Sequence, residues 1–222
     1  MSKYVFDAYL VLLLIGTFTG FYYTRGLNRT FLPLKLLPWF LLLTFINEIL
    51  AMTWPKRLGG NYFIYNIYLI FQFCFYSYML VQMIENRRMK QLLTCLAIAY
   101  SIFATLNIGV IQGMHTFNTL NYFTGAVILS FFSGYSLNEQ FKKDIACNPF
   151  KKPYFWIASS ILVLETAMVP LLLPPYFDLH LSKVELRLIS ILLNLINLIV
   201  YSMFIVAFRY LYKNSVRSSL QR

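Results

Sequence analysis

The sequence predicts an all-α membrane protein, a bundle of seven transmembrane helices with the N-terminus outside and the C-terminus inside. Three observations predict it. First, 59% of the 222 residues are hydrophobic and 18% aromatic, against only 12% charged, a composition outside the range of soluble domains. Second, seven apolar runs approach the ~20 residues that a helix needs to cross ~30 Å of hydrocarbon. Third, basic residues gather in alternate gaps between those runs, the pattern left when Lys and Arg are retained on the cytoplasmic face.

The first run, 5–23, carries Gly16 and Gly20 at the spacing that lets helices approach closely. The others fall at 36–54, 62–84, 91–111, 118–135, 154–173 and 184–210. Turn residues separate them: Gly26 and Asn28, Pro55 with Gly59 and Gly60, Gly113, Pro149, and Pro174 with Pro175. No gap is long enough to divide the chain, so 1–222 is expected to form a single domain. Lys3 and Asp7 without a small-residue cleavage site mark the first run as a retained helix rather than a signal peptide. Cys74 and Cys95 lie in apolar runs and Cys147 in a basic loop, which suggests neither a disulfide nor a metal cluster.

Nineteen Lys and Arg against eight Asp and Glu give a net charge of +11. Fourteen of the nineteen fall on one side of the expected membrane: Arg25, Arg29 and Lys35; Arg87, Arg88 and Lys90; Lys142, Lys143, Lys151 and Lys152; Arg209, Lys213, Arg217 and Arg222. Lys3, Lys56, Arg57, Lys183 and Arg187 fall on the other. In a soluble protein such a balance would suggest nucleic acid. Here its placement points to anionic lipid, so the lipid bilayer is the expected partner and nucleic acid is not. The expected location is a bacterial inner membrane.

An internal repeat organises the chain. Trp39 is preceded by Lys35 and followed nine residues on by Glu48; Trp156 is preceded by Lys152 and followed by Glu165 at the same spacings. Gln72 with Tyr76 and Ser77 returns as Asn197 with Tyr201 and Ser202. These matches suggest parallel repeats over 1–90 and 116–213 around a linker helix at 91–111.

The repeat also sets a common depth. At ~1.5 Å per residue each glutamate lies ~13 Å along its helix from an interfacial tryptophan, near the midplane. A carboxylate there costs ~2.5 to 3.5 kcal/mol on insertion scales and ordinarily faces the bundle interior. Ser190, Asn194, Asn197 and Tyr201 share one face of the seventh run, with Arg187 leading into it, and Tyr65, Tyr68, Gln72 and Tyr76 form a stripe on the third. Asn47 and Asn66, with Asn107, Asn118 and Asn121, add amides toward the outer side. Together they suggest an aromatic and amide-lined pocket reaching from the outer face to the midplane. The bland reading is that such residues are interhelical hydrogen-bond glue, worth ~0.6 kcal/mol each on average.

Seven helices, an outside N-terminus and a 3+1+3 repeat with amides on the third and seventh helices resemble the architecture of SWEET and PQ-loop transporters. In SWEET sugar carriers asparagines on those two helices line the substrate pocket, so the resemblance maps that role onto Gln72 and Asn197. The proline-glutamine signature is missing from this chain. Its aromatic-rich and Asn-rich style is also similar to small uncharacterised seven-helix proteins of Bacteroidota, which implies no function.

No catalytic, nucleotide-binding or metal-binding signature occurs, so no cofactor, catalytic residue or metal ligand is assigned; the reading leans away from an enzyme and leaves the question open. Ser159, Ser160 and Glu165 share a helix, and hydrolysis there would need a base and an oxyanion donor that the sequence does not identify. His115 and His180 are the only histidines, and no lysine lies between Lys183 and Lys213 to form a retinal Schiff base. The expected function is a transporter-like carrier, with a small solute or ion bound at the midplane. Glu48 and Glu165 would hold a cation or proton, while Gln72, Asn197, Tyr76 and Tyr201 orient the solute; Asn47, Asn66, Asn194 and Arg187 complete the set. The alternative is a receptor or sensor subunit whose basic loops engage a cytoplasmic protein partner. A third reading is an oligomeric structural or defence-type membrane protein.

Overall fold

Long apolar runs have to satisfy their backbone amides internally, and the α-helix does this within one segment. The computed structural model describes residues 2–25, 32–55, 61–143, 148–176 and 181–220, with side chains for all of these except 2, 3, 143, 172–176 and 215–220. Gly26, Asn28, Arg29, Lys56, Arg57, Gly59, Gly60, Cys147, His180 and Arg222 lie outside the described residues, as do the side chains of Lys3, Lys143, Pro174, Pro175 and Arg217. The described residues form α1 (Ser2–Thr24), α2 (Leu32–Thr53), α3 (Tyr62–Met83), α4 (Arg87–Leu106), α5 (Thr119–Lys143), α6 (Pro153–Tyr176) and α7 (Lys183–Leu220). A π-helical turn, Asn107–Ile111, extends α4. There is no strand among the described residues.

Six of these helices are long and apolar enough to cross a membrane, which fits an integral membrane protein; α5 is not among them. Its composition explains why. Asn121, Ser133 and Ser136 are buried on its inner side, and they dilute an exposed stripe of Leu120, Phe123, Val127 and Phe131. Mean hydropathy averages the two faces of such a helix, whereas burial separates them.

Helix ends depart from the apolar runs for local reasons. The Asn86 side chain accepts from the backbone N–H of Arg88 at 3.0 Å and Met89 at 3.3 Å. It thereby starts α4 before the apolar stretch begins. At their C-terminal ends α5 continues past the apolar residues into Glu139, Gln140 and Lys142, and α7 into Arg209 and Lys213, residues that favour helix without favouring lipid.

Helices α1, α2, α3, α5, α6 and α7 pack in a closed ring in that order, and α4 lies outside it against α3 and α5. A brief contact between α3 and α6 crosses the middle. Tyr9, Phe40, Tyr76, Ile161 and Phe204 fill the centre, while Val11, Ile98, Val127 and Ile199 point outward. In lipid this association relies on close packing rather than on water exclusion. Gly20 shows how close: a Cβ there would stand 2.8 Å from both Phe208 and Pro38, so only glycine lets α1 meet α2 and α7. Gly16, one turn earlier, has ordinary contacts to Leu41 and Ile205.

Candidate functional site

Polar groups inside the ring collect around the two glutamates, but in unlike surroundings. Glu48 on α2 is half-buried and accepts from two hydroxyls: Tyr9 of α1 to Oε1 at 3.1 Å and Tyr65 of α3 to Oε2 at 3.3 Å. Glu165 on α6 is 3% exposed and has no hydrogen-bond donor among the described residues. It lines a cavity of ≈ 10 Å³ with Gln72 and Phe73 of α3, Tyr100 of α4, and Tyr122 and Gly125 of α5. That is room for about one water molecule. Gly125 keeps it open on one side, since a Cβ there would come within 3.1 Å of Phe73 and of the Tyr100 hydroxyl.

Hydroxyls connect the two carboxylates part of the way. Tyr201 of α7 packs its ring 5.5 Å from that of Tyr9 and lies close to the side chains of Tyr9 and Thr44. Thr44 is in turn 2.7 Å from the Tyr68 hydroxyl. Tyr68 stands within electrostatic range of both Glu48 and Glu165. Tyr76, buried with its hydroxyl unpartnered, interacts electrostatically with Tyr68, Tyr201 and Glu165. The face of α3 bearing Tyr65, Tyr68, Gln72 and Tyr76 therefore runs from one glutamate to the other. Tyr76 and Tyr201 are electrostatic neighbours.

Other expected residues lie elsewhere. Asn66 donates to the carbonyls of Thr116 at 2.8 Å and Met114 at 3.4 Å and accepts from the Asn118 N–H at 3.0 Å. It clamps the α4–α5 connection onto α3. Asn107 donates to Gln112 and to Asn121, each at 2.9 Å, and Asn121 donates to the Ala104 carbonyl at 3.1 Å, which holds the π-helical turn in place. These amides join segments to one another instead of forming the pocket wall expected of them. Asn194 donates to the Ser190 carbonyl of its own helix at 2.7 Å, and Asn197 is half-buried away from the Glu165 cavity. Asn47 is buried with its amide nitrogen unpartnered. Arg187, expected to complete the ligand-binding set, is exposed near the start of α7 and is not an electrostatic neighbour of either glutamate.

Sequence reasoning missed Tyr9, Thr44, Tyr100 and Tyr122. A signal for Tyr9 existed, because Tyr9, Leu13, Thr17, Gly20 and Thr24 repeat at helical spacing and mark the inward face of α1. Thr44 sits one turn before Glu48 on the same face. For Tyr100 and Tyr122 no pattern in the chain indicates a meeting with Glu165.

No protein-family model, curated protein or solved structure matches this chain. The resemblance to SWEET-type carriers therefore gains no support from comparison, and the reading of function rests on the geometry.

Proposed function

We propose that this membrane protein is a carrier of protons or small cations, that all seven helices cross the bilayer, and that Glu165 is the ion-binding group. The observation that carries the reading is a buried carboxylate with neither a cationic partner nor a hydrogen-bond donor among the described residues. An uncompensated charge at membrane depth is expensive and marks a functional group more often than a structural one. A proton or a bound cation supplies the missing charge. Size favours the ion over a larger solute: a cavity of ≈ 10 Å³ holds about one water, whereas pockets for drug-sized ligands occupy roughly 300 to 1,000 Å³.

Glu48 serves in this reading as the second station. It is half-buried, and the hydroxyls of Tyr9, Tyr201, Thr44 and Tyr68 lead inward from it. Along such a series each oxygen takes up one proton on a lone pair and releases its own to the next. Gln72 and the tyrosines at Glu165 supply dipoles that orient toward whatever ion enters. The outward apolar stripe on α5 supports a seventh crossing, since Leu120, Phe123, Val127 and Phe131 suit lipid and the polar face suits the bundle interior.

The test is labelling of the protein in liposomes with dicyclohexylcarbodiimide, an apolar reagent for protonated carboxyl groups, read by peptide mass spectrometry. Glu165 is expected to be modified, and ion flux to fall in proportion to the modified fraction. Flux that persists after Glu165 has reacted would count against the proposal.

A further inference from the structure

We propose that the groove between the basic ends of α1 and α2 binds the phosphate of an anionic phospholipid headgroup. The groove has a volume of ≈ 570 Å³ and is lined by Phe21, Tyr22, Thr24 and Arg25 on one side and by Lys35 and Trp39 on the other. The two walls carry the same vertical order. Arg25 lies one turn beyond Phe21 and Tyr22, and Lys35 one turn before Trp39, so each wall places a cation outermost and an aromatic ring ~6 Å deeper. An anionic lipid has the matching order, with its phosphate outermost and its glycerol and acyl chains below.

Both cations are available to such a ligand. Positions 8–47 contain no Asp or Glu at all, and among the described residues neither Arg25 nor Lys35 has an acidic partner. Glu139, an acidic residue near the basic end, is already engaged by the backbone N–H groups of Glu85 at 2.8 Å and Asn86 at 3.2 Å. Phe21 packs edge-on against Trp39 with ring centroids 4.8 Å apart, which closes the floor. Tyr22 and Trp39 keep 69% and 58% of their surface exposed, the interfacial aromatic position that suits the glycerol level of a lipid. A phosphate between Arg25 and Lys35 would gain charge-assisted hydrogen bonds from both sides, and the exposed Tyr22 and Trp39 place the groove on the outer surface of the bundle.

Thermal unfolding of the full chain in non-ionic detergent tests this, with added phosphatidylglycerol, phosphatidylcholine or inorganic phosphate. Phosphatidylglycerol is expected to stabilise saturably and the other two not to. Arg25→Gln and Lys35→Gln should each weaken the apparent affinity roughly fivefold, and the double variant roughly thirtyfold. Arg87→Gln, at another exposed basic position, should leave it unchanged, and so should the charge-preserving Lys35→Arg. Equal weakening by Arg87→Gln would show diffuse surface charge instead, and overturn the proposal. Stabilisation by inorganic phosphate to the same extent would overturn the lipid assignment, as would wild-type affinity in the double variant or loss of affinity in Lys35→Arg.

Discussion

Glu165→Gln is expected to unfold at a higher temperature than the wild type, by the equivalent of about 1 to 3 kcal/mol. The amide has nearly the same shape and cannot ionise, so it abolishes the cost of a carboxylate that finds neither a donor nor a cation among the described residues. For a residue kept for packing or hydrogen-bond glue, substitution lowers stability; for one kept for function, stability rises as activity is lost. Thermal unfolding of the two proteins in the same detergent separates the cases. Glu165→Ala is a poorer probe, because it also enlarges the cavity that Glu165 lines with Gln72 and Tyr122. A lower unfolding temperature for Glu165→Gln would argue that its carboxyl group is structural.

Tyr9→Phe is expected to cost about 1.5 to 3 kcal/mol of stability and to slow ion flux several-fold. The change leaves the ring contacts to Phe6 and Tyr201 in place and removes only the hydroxyl that donates to Glu48 and faces Tyr201. Tyr65→Phe is the control. It removes the other donor to Glu48, at 3.3 Å, but Tyr65 stands outside the series that leads through Thr44 to Tyr68. Its flux should stay close to wild type while its stability falls. Combining Tyr9→Phe with Glu48→Gln should give less than the sum of the two losses, since both act on one hydrogen bond. Equal slowing by Tyr9→Phe and Tyr65→Phe would show that flux follows the anchoring of Glu48 and not a hydroxyl series.

The contrast between these residues shows what the chain disclosed by itself. Helices were legible because lipid imposes a length and an apolar composition on every crossing, so six of the seven expected runs appear as helices fit to span a membrane. The seventh, α5, was found as a run, but its buried Asn121, Ser133 and Ser136 weaken the hydropathy on which the expectation rested. Glu48 and Glu165 stood out because an acidic residue in an apolar run is costly, and so did the α3 stripe, because helical periodicity fixes a face. What periodicity cannot fix is which helix that face meets. The series Tyr9, Tyr201, Thr44 joins α1, α7 and α2, neighbours in space because the ring closes between the two ends of the chain. Nothing local to Tyr9 or Tyr201 encodes that closure. The same limit applies to the amides: Asn66 looks like Asn47 in the sequence, and only their surroundings separate a loop clamp from a buried amide whose nitrogen is unpartnered.

Ion flux into liposomes reconstituted with the purified full chain tests the central claim most directly. With a proton gradient or a sodium gradient imposed in parallel experiments, the wild type is expected to dissipate one of them well above the leak of protein-free liposomes, and Glu165→Gln to fall back to that leak. A wild type that dissipates neither gradient, or a Glu165→Gln protein that matches the wild type, would contradict it.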